Sequence, residues 1–156
     1  MSKDGAWRFA EPAGRDDAKI RPVWEEMRRN IFGAQGESVR LDTLFATLAA
    51  APYGVPDGLH PVLLCAFLLT HRDETSLYRD GSFVPEPGIA DFEVLMRRPE
   101  LFAVAGSPLD GARSAVVARV AKALKTPAAT VPVVRALFRM VRQLPELAHR
   151  TRRLAA

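Results

Sequence analysis

The densest group of residues that could do chemistry is the tetrad His71-Arg72-Asp73-Glu74, which follows an apolar run. Its first three residues also occur in the catalytic loop of protein kinases, where the aspartate accepts the proton of the substrate hydroxyl. In this sequence no asparagine follows at the required spacing, and neither a D-F-G triplet nor a glycine-rich loop is present. His71 and Arg72 suit the negative end of a helix dipole. Asp73 and Glu74 then begin a turn, so the tetrad predicts a helix end rather than a catalytic site.

The other reactive residues are scattered. His60 and His149 have no partner at a metal-ligand spacing, and the one cysteine of the chain, Cys65, cannot build a zinc site alone. Cys65 also has no basic neighbour that would lower its pKa, and we expect an inert core thiol. The sequence contains no phosphate-binding G-x-x-x-x-G-K-[ST] loop and no nucleophile-elbow motif. It therefore predicts no enzyme, cofactor or metal, and a small enzyme that uses His71 with Asp73 is the least favoured alternative.

Positive charge is concentrated towards the C-terminus. Residues 1–112 hold 12 of the 22 Lys and Arg residues but 17 of the 18 Asp and Glu residues, which gives a net charge of −5. Residues 113–156 hold the other 10 basic residues and 1 acidic residue, which gives +9. Such asymmetry is typical of a surface that meets an acidic partner, either nucleic acid or protein. A solvated helical face explains it equally well, because a basic face needs no ligand to be soluble.

Length and hydropathy favour one compact domain with accessory ends. A chain of 156 residues with 48% hydrophobic content can bury a sizeable core. No apolar run approaches the roughly 18 residues that a membrane span needs. The N-terminal sequence MSKDGAWRFAEPAGRDD lacks the apolar region of a secretory signal. With a single cysteine, we expect a cytoplasmic, reducing location and no membrane partner.

The elements that must position these residues follow from apolar periodicity and turn residues, which predict a mainly helical α+β fold. A flexible tail is expected over 1–16, a core over 17–105, and a basic helical segment that packs on the core over 106–156. Helices are predicted over 22–33, 41–51, 58–71 and 89–98, with two more that end near 124 and begin near 131. Strands are predicted at 38–41, on both sides of Asp80-Gly81, and at 101–105.

The helix over 58–71 is apolar around nearly its whole circumference, and we expect it to be the central buried helix. The Asp80-Gly81 pair after it predicts a two-residue type I′ turn, because both residues tolerate positive φ. Leu77 and Tyr78 would then pair across the hairpin with the segment 83–84 and fix its register.

The helix that ends near 124 has apolar residues at Val116, Val117, Val120 and Leu124. The last helix is predicted to face the core with Val134, Leu137, Phe138 and Val141. A second face of the last helix carries arginines, and more arginines follow in the tail. We take these six as candidate contacts to nucleic acid or to a protein partner: Arg135, Arg139, Arg142, Arg150, Arg152 and Arg153.

The predicted order of helix, short strand, two helices and hairpin is that of a winged helix-turn-helix. In DNA-reading members the recognition helix presents polar side chains to base edges. The helix over 58–71 offers none before its end, and the hairpin carries a single cation, Arg79, beside Asp80. Because phosphate contacts supply most of the affinity in such modules, we expect this core to bind DNA poorly in the usual mode. It is better suited to packing or protein contact.

The segment PYGVPDGLHPVLLCAFLLTHRDETSLYRDGSFVPEPGIADFEVLMRRPELF, together with LPELAHRTRRL, resembles a region in the C-terminal part of large bacterial P-loop ATPases. These include ATPases of BREX-type phage-exclusion loci. The resemblance runs from about Val39 to Leu154 and lies in turns, hairpin and core residues. The ATPase site of that family lies upstream, and none of its motif residues occurs here. The resemblance implies a non-catalytic accessory region, either an excerpt of a longer protein or a free-standing relative that assembles with an ATPase.

We therefore predict a winged-helix-like, non-catalytic interaction domain that binds a protein partner. The domain would belong to a bacterial ATPase-linked nucleoprotein system that serves in phage defence. The alternative is a nucleic-acid-binding regulator that uses the C-terminal arginine face.

Overall fold

The computed structural model describes residues 9–12, 16–34, 36–108 and 111–144, and for residues 111–113 it describes the backbone alone. Six α-helices lie in these residues: α1 (Arg21–Gly33), α2 (Leu41–Ala49), α3 (His60–Thr70), α4 (Ile89–Arg97), α5 (Gly111–Leu124) and α6 (Thr130–Arg142). The strands are β1 (Val39–Arg40), β2 (Thr75–Arg79), β3 (Ser82–Val84) and β4 (Phe102–Gly106). Short 3-10 turns precede α3 and β4, at Asp57–Leu59 and Pro99–Leu101. The predicted mainly helical α+β class is confirmed.

The chain divides into two compact units, residues 1–108 and 109–156. The first unit holds every element from α1 to β4, and the second holds α5 and α6. The division falls close to residue 105, where the sequence predicts the end of the core.

The four strands form one antiparallel sheet in the order β1-β4-β2-β3. The further strand predicted over 101–105 is present as β4, and it lies in the interior of the sheet between β1 and the hairpin. Because β4 pairs along the whole of β2, the hairpin is anchored to the sheet by main-chain hydrogen bonds.

The hairpin of β2 and β3 forms as predicted. Asp80 and Gly81 have φ values of 49° and 74°, and a type I′ turn needs positive φ at both central residues. Tyr78 pairs with Phe83 across the hairpin, which is the predicted register. Their rings lie 5.9 Å apart, so the pair also contributes side-chain contact.

The core of the first unit is built by α1 and α2 against the sheet and α3. The predicted apolar stripes of α1 and α2 are buried: Val23, Trp24, Met27, Ile31, Leu41, Leu44, Phe45 and Leu48. Gly106 lets α1 approach β4 closely. A Cβ at Gly106 would lie 2.5 Å from a Phe32 ring carbon and 2.8 Å from the Ile31 carbonyl oxygen. Because a side chain here would displace the backbone of α1 at Ile31, only glycine fits this position.

A buried carboxylate ties α1 to the turn after α2. Glu26 is buried in α1, and the Tyr53 hydroxyl donates to its carboxylate at 2.6 Å. Arg29 forms an ion pair with the same carboxylate, and the Asn30 amide donates to it at 2.7 Å. The Tyr53 hydrogen bond, followed by that of Arg29, holds the pKa of Glu26 below its ordinary value. The buried charge is therefore compensated by hydrogen bonds, as a stable core requires.

One side of α3 is buried and the other is open. The buried residues form a single stripe: His60, Leu64, Phe67 and, just after the helix, His71. Trp24 of α1 and Phe45 of α2 cover that stripe, with ring distances of 5.1 Å to Phe67 and 5.0 Å to His60. On the opposite side Val62 is 61% exposed. The prediction that α3 is buried around its whole circumference is therefore wrong, because neighbouring elements cover only one side of it.

In the second unit α5 and α6 pack on each other. The buried residues here lie in α5 and at the start of α6: Ala121, Val131, Pro132 and Val133. The four residues of α6 predicted to face the core are all exposed: Val134, Leu137, Phe138 and Val141. Val116 of α5 is exposed as well. The prediction for the four residues of α6 is wrong, because periodicity identifies an apolar face but not whether another element covers it.

Candidate functional site

Three of the six predicted contact arginines lie on one face of α6. Arg135, Arg139 and Arg142 are spaced by four and three residues, which places them on neighbouring turns of one helix face. Arg139 and Arg142 are exposed, whereas Arg135 is half-buried. The Arg142 guanidinium lies over the Phe138 ring, 5.9 Å from its centre. The other three candidates, Arg150, Arg152 and Arg153, lie outside the described residues.

The His71–Glu74 tetrad ends α3, as predicted. α3 stops at Thr70, and the tetrad forms the turn that leads into β2. His71 is buried among aromatic rings, with its own ring 4.5 Å from Phe67. Its Nδ1 lies 3.5 Å from a Glu74 carboxylate oxygen and its Nε2 lies 3.3 Å from one of Glu11. Its carboxylate neighbours thus differ from the Asp73 that the enzyme alternative invokes.

An apolar groove lies on the open side of α3, where α4 runs beside it. Its wall is formed by residues of α3 and α4 and by one residue of the N-terminal segment, Phe9, Pro61, Val62, Cys65, Ala66, Phe92 and Met96. We call this the α3–α4 groove. It has a volume of about 330 Å³, and no charged side chain lines it. Pro61 and Ala66 line the groove from α3, and Phe92 and Met96, one helical turn apart, line it from α4.

Cys65 lies in the wall of the α3–α4 groove rather than in the core. It is half-buried, and burial raises the pKa of its thiol. The prediction of a core position is wrong, because Cys65 falls on the open side of α3. Its thiol remains poorly ionised at neutral pH, as expected where no basic neighbour stabilises the thiolate.

The N-terminal segment is held at the end of the groove by its charge contacts. Glu11 accepts a hydrogen bond from Arg28 of α1 at 2.7 Å and lies beside His71. Phe9, two residues earlier, then reaches the groove wall. The sequence predicts a flexible tail over 1–16, and within it Glu11 contacts α1 while Phe9 lies in the groove wall.

A second, acidic pocket adjoins the groove and shares two wall residues with it, Pro61 and Met96. We call it the acidic pocket. It has a volume of about 330 Å³, and its wall is completed by Asp42, Phe45, Ala46, Ala49, Asp57, His60 and Pro99. The Asp57 side chain is 99% exposed and lies 3.8 Å from Nδ1 of the buried His60. The groove therefore continues from an apolar stretch into one that carries negative charge.

The second acid of this pocket already has a partner. Asp42 forms an ion pair with Arg40 at 2.6 Å, and that hydrogen bond holds the pKa of the Asp42 carboxyl below its ordinary value. The Arg40 contact keeps Asp42 ionised at neutral pH, and the Asp57 side chain is the more exposed of the two. Asp57 is therefore the more accessible of the two acids for a basic side chain of a partner.

In the described ranges, no three His, Cys, Asp or Glu side chains come together as metal ligands would. Within the same ranges, no helix combines the length and the apolar character needed to cross a membrane.

Sequence reasoning missed both the groove and the pocket. The signal was present in α4, where Phe92 and Met96 recur at helical spacing, and in α3, whose apolar circumference exceeds what one layer of neighbours can cover. The residues that line the groove were all assigned to the core or left unassigned, because sequence alone does not show how far apart two helices lie.

Comparisons with protein-family models, with curated proteins and with solved structures find no match for this chain. The expectations that come from the ATPase resemblance therefore stay predictions.

Proposed function

We propose that this chain is a non-catalytic protein-interaction domain that binds its partner through the α3–α4 groove. The observation that supports this most directly is the groove itself. Its wall is apolar, and two of its residues, Val62 and Met96, are exposed. Leaving such residues in water is costly, at roughly 25 cal/mol for each Å² of apolar surface. Contiguous exposed apolar surface on a small domain typically marks a binding surface.

The shape of the site favours a helical or extended segment of a protein as the ligand. An amphipathic helix places apolar side chains at positions i, i+3, i+4 and i+7, and such a row fits a groove between two helices. The adjoining acidic pocket favours a basic residue in the same segment, since its wall includes the exposed acidic residue Asp57. The expected ligand is thus an apolar helical face with Lys or Arg beside it.

The winged-helix interpretation is part of the proposal. It is supported by the order of α1, β1, α2, α3 and the β2–β3 hairpin along the chain. β4, which lies between β1 and the hairpin, is not part of that winged-helix order of elements. With Arg79 as its one basic residue, close to both Asp80 and Asp91, the hairpin is poorly suited to phosphate contact.

The partner class that the sequence resemblance favours is a large bacterial P-loop ATPase, of the kind found in phage-exclusion systems, in the cytoplasm. In that setting the chain supplies a docking surface and the partner supplies the chemistry.

Co-expression with a large bacterial P-loop ATPase of the class that the sequence resembles tests the proposal. We expect a complex that co-purifies and that Val62→Asp or Met96→Asp reduces to background, because a buried carboxylate would lie in the apolar wall. Val116→Asp, an equally exposed valine on α5, is the matched control and should leave the complex intact. A complex that tolerates both groove variants would contradict the proposal. So would ATP hydrolysis by the purified chain that a single substitution in it abolishes.

A nucleic-acid-binding regulator is the second candidate, and it is favoured by the arginine face of α6 and the net charge of +9 over residues 113–156. Binding to duplex and to single-stranded DNA is measured across a salt series. A steep decline of affinity with salt, lost when Arg135, Arg139 and Arg142 are replaced by Ala, supports this candidate. A slope near zero rejects it.

A further inference from the structure

We infer that the α3–α4 groove of one chain takes the apolar face of α6 from a second copy of this chain, in a reciprocal pair. This inference rests on the proposed function of the groove as a docking surface and names a second copy as its occupant when the ATPase is absent, so the two compete for the groove. It joins two exposed surfaces, one in each compact unit, that are both apolar and lie beside charges of opposite sign.

The surface offered by α6 has the features expected of the ligand. Val134, Leu137, Phe138 and Val141 recur at positions i, i+3, i+4 and i+7 and are all exposed. We call them the α6 apolar face. The Arg142 guanidinium, stacked over Phe138, stands at its edge. A basic amphipathic helix of this kind suits an apolar groove that ends in an acidic pocket.

The surface offered by the first unit is complementary. The α3–α4 groove is apolar along its length, and the acidic pocket beyond Pro61 and Met96 presents Asp57. The charges of the two regions also oppose each other, at −5 for residues 1–112 and +9 for residues 113–156. Opposite net charges favour encounter between the first unit of one copy and the second unit of another.

Charge also decides against the simplest alternative, in which the α6 apolar faces of two copies pack on each other. That contact would bring together two helices that each carry Arg135, Arg139 and Arg142. Like charges placed side by side across an interface are destabilising. Pairing of α6 with the groove instead brings Arg142, at the edge of the α6 apolar face, towards the acidic pocket.

Reciprocity gives the pair a defined size. If the groove of each copy takes α6 of the other, both surfaces are used and no groove stays open, so the assembly closes as a two-fold dimer. A contact in one direction only would leave one groove and one α6 apolar face free. Further copies would add at these free surfaces and form an open-ended assembly.

Light scattering after size-exclusion chromatography, over a range of chain concentrations, tests the inference. We expect the mass to rise from the monomer value to twice that value. Val62→Asp in the groove and Leu137→Asp in the α6 apolar face should each raise the dissociation constant at least about tenfold, by placing a carboxylate in apolar surface. Val116→Asp is the matched control and should dimerise like the parent. Met96→Asp and Val141→Asp replace any variant whose circular dichroism shows that it does not fold.

Mixing the two monomeric variants tests the pairing itself. The Val62→Asp chain retains its α6 and the Leu137→Asp chain retains its groove, so the mixture should form a heterodimer through one intact contact. Failure of the mixture to associate would overturn the inference. So would a parent chain that stays monomeric at every concentration, including one in which its own α6 covers its own groove.

Ionic strength separates the two kinds of dimer. Raising the salt from about 0.05 M to about 0.5 M should weaken the groove–α6 dimer, because screening reduces the attraction between opposite charges. A dimer that tightens with salt would contradict it and indicate contact between like-charged α6 helices.

The failure of this inference and the failure of the proposed function are distinguishable. A monomeric chain whose complex with the ATPase still depends on Val62 would retain the docking function and lose only the second copy as its occupant.

Discussion

The two sides of α3 are nearly alike in composition and differ in what surrounds them. On one side Leu64 and Phe67 are fully buried against α1, α2 and the sheet. On the other side Val62 is exposed, and Cys65 and Ala66 are half-buried in the wall of the α3–α4 groove. The same apolar residue types are therefore buried in the core on one side of α3 and line an open groove on the other. The difference teaches that the position of neighbouring elements, rather than residue type, decides which role an apolar helix side takes.

Phe67→Ala on the buried side should have the largest effect on stability. Removing a fully buried ring that contacts Trp24 and Phe32 should lower the free energy of unfolding by about 3–5 kcal/mol, from lost burial and the cavity left behind. Urea unfolding followed by circular dichroism measures the change. Leu64→Ala is the companion variant, with an expected loss of about 2–5 kcal/mol. Losses below about 0.5 kcal/mol at both sites would mean that the buried side has been misassigned.

Gly106→Ala tests the same side through the backbone. The added Cβ would meet Phe32 and the Ile31 carbonyl oxygen, which cannot yield without moving α1 away from β4. Phe32 packs on Phe67, so the displacement should reach the buried side of α3. We expect a loss of about 1–3 kcal/mol, as for other overpacked positions. Gly58→Ala, where a Cβ would meet nothing within 4 Å, is the matched control. Equal stability of the two variants would show that the close approach of α1 is not needed.

Tyr53→Phe should reduce stability in a pH-dependent manner. The Tyr53 hydroxyl lowers the pKa of Glu26 in the folded chain, so this contribution is fully present above the ordinary pKa of the carboxyl. It is lost as the pH falls through the lowered folded value. The parent should therefore be destabilised more than the variant between neutral and acidic pH, in urea unfolding at a series of pH values. Parallel pH profiles for the two chains would contradict the assignment of this hydrogen bond.

Val62→Asp on the open side should have the smallest effect on stability. Val62 is exposed, and surface substitutions outside special features usually change the free energy of unfolding by no more than about 0.5 kcal/mol. The same variant should abolish binding at the groove. This separation of stability from binding is what distinguishes the two sides of α3. Urea unfolding is measured at a chain concentration below the dimer range, so that loss of the dimer does not contribute to the change. A loss of more than about 2 kcal/mol there would place Val62 in the core and remove the distinction.

Much of the first unit could be predicted from the sequence, because its signals are local. Asp80-Gly81 specifies a turn by its tolerance of positive φ, and the stripes of α1 and α2 follow from helical spacing. The fourth strand was predicted at 101–105, but its place between β1 and the hairpin depends on pairing between residues distant in the chain. No local pattern contains that information.

The candidate site could not be predicted for a related reason. Periodicity marked α3 and α6 as apolar, and both were assigned to a core, since that is where most apolar helices lie. Val62 and Leu137 are instead exposed, because too few neighbouring elements cover those helix faces. The arginines of α6 were proposed as contacts from charge alone. The groove could not be proposed in that way, because it depends on the distance between α3 and α4.

The rate at which Cys65 reacts with a thiol-alkylating reagent tests the central claim most directly, since this one cysteine of the chain lies in the groove wall. Burial raises the pKa of the thiol, so the reaction is followed at about pH 8.5, where more thiolate forms. The rate for the urea-unfolded chain serves as the reference. If a second copy covers the open side of α3, the rate should fall at least about tenfold as the chain concentration rises through the dimer range, and Leu137→Asp should keep it fast throughout. A parent rate that stays the same at every concentration would contradict the account.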